Sequence, residues 1–267
     1  MAEIIGRVLV IAGSDSGGGA GIQGDIKTIA ALGAYAATAI TAITVQNTLG
    51  VSAAYPLPAD LIAAQALAVL EDIGADVIKT GMLGDVEVVE RVARLLDEAT
   101  LPVVIDPVMI AKGGARLLAD DAVSSVLSLL VPRAALLTPN APEAEALTGV
   151  AITSTDDLRR AGEVLLSAGA GAVLMKGGHL PGPRVVDLLI TPYGETAFEG
   201  ERIDTRHTHG TGCTLASACA VGLAQRMSLE AATARAWDYV HQAILQAPGL
   251  GGGNGPIDHG WPLRGRL

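Results

Sequence analysis

Short, continuously apolar runs alternate along this chain with longer segments whose apolar positions recur at helical spacing. The runs at 8–12, 37–45, 77–80, 103–105, 135–138 and 173–176 predict strands. Runs without polar alternation suit strands covered on both faces. Helical spacing predicts helices around 22–32, 61–73, 86–98, 122–130, 143–147 and 156–168. This β-α rhythm predicts an α/β fold of three layers, a mostly parallel sheet between two sets of helices. Right-handed crossovers then bring the carboxyl ends of the parallel strands to one edge, where ligand chemistry collects. The stretch 187–203 breaks the rhythm. Two β-prone runs flank Pro192-Tyr193-Gly194 there, predicting an antiparallel hairpin at a sheet edge. Helices at 211–226 and 229–246 follow, then a Gly-rich loop at 249–254. No repeat or long linker divides the chain, so 1–267 reads as one domain.

Composition narrows the function classes. The chain is half hydrophobic but only 3% aromatic, so Ala, Val, Leu and Ile must do the packing. A formal net charge of −10 argues against a nucleic-acid partner, which needs basic faces. Lys27, Lys79, Lys112 and Lys176 are the only lysines, so a lysine ending an apolar strand carries weight. Two cysteines without a Cys-x-x-Cys spacing point to a reducing, cytoplasmic setting. The first seven residues lack the basic-then-apolar pattern of a signal peptide. The most apolar stretch, 30–45, is broken by Gly33, Tyr35 and several threonines, so no membrane span is expected.

The candidate chemistry lies at the predicted strand ends. Gly210-Thr211-Gly212-Cys213 opens a helix of small residues. Two glycines allow a sharp turn, and the helix start adds unpaired N–H groups and a positive dipole end, which together make an anion cradle. A cysteine in that first turn is expected to have a lowered thiol pKa and some thiolate character. The alternative is a tight turn with a structural thiol. Strand one runs into a glycine loop, Gly13 to Gly21, and then to Asp25. Gly19-x-Gly21-x-x-Gly24 fits the dinucleotide fingerprint formally, but no acid lies between Asp25 and Asp60 to hold a ribose. Gln46 and Asn47 end strand two and suit the donor and acceptor edge of a heterocycle, or simply begin a polar loop. Met82 follows strand three, either against a flat ring or as core filler. Asp106 ends strand four, as a metal or phosphate residue or a helix cap. Asn140 and Glu143 follow strand five. Either they face a hydrated Mg²⁺, or they form a capping box. Lys176 with two glycines ends strand six, to meet a polyphosphate or to snorkel from the sheet. His207 and His209 lack a third clustered metal ligand, Cys219 reads as a packed thiol, and no Walker A motif is present.

These segments together resemble the hydroxymethylpyrimidine/phosphomethylpyrimidine kinases, a group of the ribokinase-like superfamily. The most specific pieces are Gly18-Gly19-Ala20-Gly21-Ile22-Gln23, Ala42 through Thr48, Lys79-Thr80-Gly81-Met82-Leu83, Asp106-Pro107-Val108-Met109, Met175 through His179, and Thr208 through Thr214. The resemblance implies a ribokinase-like fold and two ATP-dependent transfers in thiamine biosynthesis. The first is to 4-amino-5-hydroxymethyl-2-methylpyrimidine, and the second is to its monophosphate. It implies a pyrimidine site at Gly13, Asp25, Gln46, Met82 and Val108. It implies an ATP site at Asn140, Lys176, Thr208, Gly210 and Gly212, with Mg²⁺ at Asp106 and Glu143. The anion hole maps onto Gly210, Thr211, Gly212 and Cys213, with Lys176 balancing charge. Cys213 stands as the base where many ribokinase relatives have aspartate. His207 departs from the Asn found in many members. A homodimer is implied as well. Pyridoxal kinase, a Cys213-dependent acyl hydrolase and a non-catalytic pyrimidine-binding module are the rival readings, and Lys176, Glu143 and Cys213 together argue against the last.

Overall fold

The computed structural model describes residues 6–109, 117–119 and 121–264. Met1–Ile5 and Lys112 lie outside them. The strands are β1 (Arg7–Ser14), β2 (Tyr35–Asn47), β3 (Gly50–Pro56), β4 (Val77–Thr80), β5 (Val103–Ile105), β6 (Leu136–Leu137), β7 (Val173–Met175), β8 (Arg184–Thr191) and β9 (Gly194–Glu201). They form one sheet in the order β3-β2-β1-β4-β5-β6-β7-β8-β9. The pairs from β2 through β7 are parallel. The outer pairs β2–β3, β7–β8 and β8–β9 are antiparallel. The expected hairpin is β8–β9, turning at Pro192-Tyr193.

The apolar runs read as doubly covered strands because alternate residues enter different layers. Leu9, Ile11, Ile78, Val103, Ile105, Leu137 and Val173 face one core. Their neighbours Val8, Val10, Val77, Val104, Leu136 and Leu174 face the other. The first core is closed by α2 (Ala59–Asp72), α3 (Val86–Ala99), α5 (Ala141–Thr148) and α6 (Thr155–Ser167). A helix at Ala122–Ser125 joins them, widens to a π turn at Val126–Leu130 and tightens at Val131–Arg133, where Pro132 ends it. The second core is closed by α1 (Gly21–Ala31), α7 (Thr211–Ala224) and α8 (Leu229–Leu245). Three layers follow directly from that period of two.

Helix starts around the sheet differ in how they are capped. Asp85, Asn140, Ser154 and Ser228 cap α3, α5, α6 and α8 by accepting a backbone N–H of the first turn. Helices α1 and α7 begin at Ala20 and Gly210 without a side-chain cap and without an acid in the first turn. Their N–H groups are left for something other than their own side chains.

The chain departs from expectation at the β3 edge, where 50–56 was not read as a strand. It pairs with β2 along one side only, and Ser52, Ala54, Tyr55 and Pro56 are exposed, so it has no apolar run to announce it. Among the described residues no helix is long and apolar enough to cross a membrane.

Candidate active site

The parallel strands end around a cavity of about 720 Å³. Gly13, Gln46, Met82 and Val108 line one part of it. Asp106, Asn140, Glu143 and Lys176 line another, facing Thr208, Gly210, Thr211, Gly212 and Cys213. Asp25 is the expected site residue that does not reach the wall.

On the Gln46 side, close packing replaces side-chain bulk. A Cβ on Gly13 would sit 2.9 Å from Met82 Sδ, so the bare glycine lets the thioether lie across the strand end. Thr44 Oγ1 donates to Gln46 Oε1 at 3.3 Å, and Gln46 Nε2 lies 3.3 Å from His209 Nε2. His209 Nε2 in turn lies 2.8 Å from Asp15 Oδ2. Asp15 also accepts the backbone N–H groups of Gly17, Gly19 and Ala20. Burial alone would raise the Asp15 pKa, but His209 and those donors outweigh it and hold the carboxyl below its usual range. Asp15 therefore shapes the glycine loop and orients the histidine beside Gln46. Sequence reading passed over both. His209 stands in the Thr208–Thr214 run and in a histidine pair, but neither gives it a role, although its place directly before Gly210 is a usable signal. Among the described residues no cluster of three His, Cys, Asp or Glu side chains is placed to hold a metal.

At the other end, Lys176 Nζ donates to Asp106 Oδ1 at 2.9 Å and lies 3.9 Å from Glu143 Oε2. Thr138 Oγ1 also donates to Asp106. Burial works against the Lys176 charge, but Asp106 and Glu143 more than offset it, so its pKa lies above that of an ordinary lysine. Glu143 is pushed up to about 7, first by burial, against the pull of Lys176 and with the repulsion of Asp106. Both readings of Glu143 hold geometrically. It accepts the Asn140 N–H while Asn140 accepts the Glu143 N–H, a complete capping box. The same box seats its carboxylate on the cavity wall. The uncapped start of α7 closes on this group, for a Cβ on Gly212 would lie 3.2 Å from Lys176 Nζ.

Two expectations need correction. Asp25 has no exposed surface; both its oxygens bind Lys79 Nζ at 3.0 Å, and Ser217 Oγ donates to it at 2.7 Å. It is an internal counter-ion and not a surface for substrate. Cys213 borders the cavity but is not a resting thiolate. Burial pushes its thiol up to about 12; Lys79 and the Gly21 N–H pull down, while Asp106 and Asp25 push up. The helix start is too weak to overcome that enclosure. Cys219 is fully buried, as a packed thiol should be.

A further lobe of the cavity was not foreseen. Trp237, Val240, His241 and Ile244 of α8 line it with Val185, Asp187 and Ile203. The Trp237 and His241 rings stack at 5.4 Å. Their spacing along α8 reads equally well as a core-facing stripe, which hid them.

Comparison with known proteins agrees with this layout. The family model described as phosphomethylpyrimidine kinase matches residues 15–258. A hydroxymethylpyrimidine/phosphomethylpyrimidine kinase of Streptomyces coelicolor is 50% identical over 256 residues, 96% of this chain and 95% of that one. A bifunctional thiamine biosynthesis protein of Geobacter sulfurreducens is 49% identical over 255 residues, 95% of this chain and 52% of the larger protein. The structure of a Staphylococcus aureus pyridoxal kinase in complex with AMP-PCP and pyridoxal superposes with a TM-score of 0.90 at 33% identity, covering 98% of this chain and 96% of that one. By sequence and by fold, the chain belongs to the phosphomethylpyrimidine kinase family and is an enzyme of that kind.

Proposed function

We propose that this kinase, a single catalytic domain in the cytoplasm, transfers the γ-phosphoryl group of ATP in two steps of thiamine biosynthesis. The first acceptor is the hydroxymethyl group of 4-amino-5-hydroxymethyl-2-methylpyrimidine, and the second is the monophosphate so formed. The observation that carries this reading is the closure of the uncapped α7 start on Lys176, in one cavity with Gln46 and Met82. Phosphoryl transfer depends mainly on alignment and charge stabilisation. The N–H groups from Thr211 to Cys213 would hold the transferring oxygens, and Lys176 would balance their charge. Thr208 and Asn140 line the same cavity and would border those phosphates. The α8 lobe with Trp237 and His241 offers flat apolar surface for the nucleobase.

Asp106 and Glu143 fit Mg²⁺. Two carboxylates share one lysine, and burial first, with the repulsion of Asp106, raises Glu143 to about 7. Mg²⁺ shared with phosphates takes few protein carboxylates. Bound there, it would neutralise phosphate charge. On the acceptor side, the Gln46 amide can donate and accept at once, matching a ring nitrogen beside an exocyclic amine. Met82 would lie on the ring face. The rival acyl hydrolase reading falls with the family assignment.

The chain is further proposed to act as a homodimer. Ile43 pairs across from Tyr55 and Val45 from Ala53, and Ile43, Val45, Tyr55 and nearby Leu49 are exposed. Sedimentation velocity at micromolar concentration is expected to give twice the 27.0 kDa chain mass, and a monomer would overturn this point.

Three further outcomes test the site. Gln46→Leu should weaken binding of the pyrimidine alcohol by roughly 1–3 kcal/mol in titration calorimetry; unchanged affinity would remove Gln46 from the substrate edge. Cys213→Ala should lower kcat for the first transfer on the order of 10²-fold while nucleotide binding survives. The second transfer should lose much less, because its phosphate acceptor is already ionised. The sign of the pH effect follows from the raised thiol pKa. Thiolate is scarce at neutral pH and grows until about pH 12, so the first transfer should climb with pH in the wild type and not in the variant. Equal loss in both steps would point to a packing role. Finally, Glu143→Gln should raise the Mg²⁺ needed for half-maximal rate, whereas Lys176→Ala should slow transfer at saturating Mg²⁺. Ordinary Mg²⁺ dependence in Glu143→Gln would leave that residue only its capping role.

A further inference from the structure

Beside the cavity lies an ion pair that the reaction described above does not use. Lys79, in β4, has no exposed surface. It lies two residues beyond Val77, so its side chain leaves the sheet toward α1 and α7. Asp25 on α1 binds its ammonium through both oxygens at 3.0 Å, and Ser217 on α7 holds Asp25 at 2.7 Å. Ser217 is one helical turn beyond Cys213, which puts the two side chains on one face of α7. Lys79 and Cys213 both border the cavity. A Cβ on Gly81 would come within 3.2 Å of Lys79 Nζ, so the residue covering the ammonium there is the smallest one. A buried ion pair of this kind is poor evidence for stability, since apolar residues of similar volume often replace one without loss.

We propose that Lys79, held by Asp25 and Ser217, is a positioning residue for Cys213: its ammonium sets how readily the thiol gives up its proton. The catalytic meaning of this coupling rests on Cys213 being the proton acceptor proposed above. The charged groups that bear on the thiol come from several elements. Lys79 of β4 and Lys176 after β7 are the cations, while Asp25 of α1 and Asp106 after β5 are the acids. Among them Lys79 favours the thiolate most, and burial opposes it. Burial also works against the charge on Lys79 itself, but Asp25 keeps that pKa above the ordinary lysine value. Asp25 is thus the means by which a cation survives at that depth.

The test is the rate of iodoacetamide alkylation of Cys213 in the ligand-free, full-length protein, followed by peptide mass spectrometry between pH 7 and 9. That rate scales with the thiolate fraction, so one unit of thiol pKa appears as about tenfold. Lys79→Met should slow alkylation by roughly tenfold or more. Asp25→Asn should slow it as well, because the buried ammonium loses the acid that keeps it charged. The double variant Lys79→Met/Asp25→Leu replaces the pair by apolar groups, keeps the test available should a single variant fail to fold, and should be slower than wild type. Slower alkylation in both single variants would support the coupling, because mere loosening would expose the thiol and speed alkylation in every variant. Faster alkylation in either single variant, or an unchanged rate in the double variant, would overturn it. Turnover of the double variant separates the two readings. A lower kcat with unchanged KM for the pyrimidine alcohol is expected. Unchanged kcat beside the expected alkylation shifts would keep the coupling and defeat Cys213 as proton acceptor.

Discussion

A contact between two backbones governs the active site: Gly210 lies against Gly19. A Cβ on Gly210 would fall 1.8 Å from the Gly19 carbonyl oxygen, and Gly210 sits at φ +87°, where side chains are disfavoured. Gly19 in turn has no side chain because His209 occupies the space, with Cδ2 2.5 Å from where a Cβ would be. This joint brings the uncapped starts of α1 and α7 to one place. It also carries the contacts from Asp15 through His209 to Gln46. One added carbon at either glycine would separate the anion cradle from the acceptor side. The reach from Gln46 to the phosphate groups is therefore set by backbone geometry, which is stiffer than any side-chain contact.

Charge explains the other end of the cavity. Asp106 and Glu143 against Lys176 leave an uncompensated acid in a buried place, and burial resists it. The protein answers by letting Glu143 hold a proton up to about pH 7. A divalent cation arriving with phosphates would relieve the same imbalance. That is why the capping box and the metal reading are compatible. The box fixes where the carboxylate is, and the electrostatics fix what it wants.

Much of this was legible in the sequence, and the limits are instructive. Continuous apolar runs gave every two-sided strand, and Pro192-Tyr193-Gly194 gave the hairpin. Strand β3 escaped because an edge strand with one open side needs no such run. Residues at strand ends were found because topology alone brings them together. What spacing could not reveal was burial. Asp25 carries the same sequence signal whether it touches substrate or sits behind Lys79, and the difference is a few ångströms of depth. The same holds for Cys213, where local reasoning from the helix start foresaw a thiolate and enclosure reversed it. Trp237 and His241 were invisible for the opposite reason, since a cavity-lining stripe and a core stripe share one period.

The protonated thiol resolves a conflict built into this chemistry. The cradle at Gly210–Cys213 must attract phosphoryl oxygens, so a resident negative charge there would repel what the site exists to hold. Yet the first acceptor is an alcohol, whose proton must go somewhere as the bond forms. An aspartate would supply an acceptor at the cost of a standing charge beside the phosphate. A cysteine on the cavity wall stays a neutral thiol in the empty site and can take the alcohol's proton only after its own proton has left to solvent, a loss that nearby cations favour. In the free protein Lys79 already leans that way without overcoming burial. The phosphates of the nucleotide are themselves anionic and oppose a thiolate beside them, so the cations around the cradle, Lys79 and Lys176, must offset them. A neutral thiol therefore leaves the empty cradle free of a standing charge, and the cations around it, Lys79 foremost, decide when it can serve as acceptor.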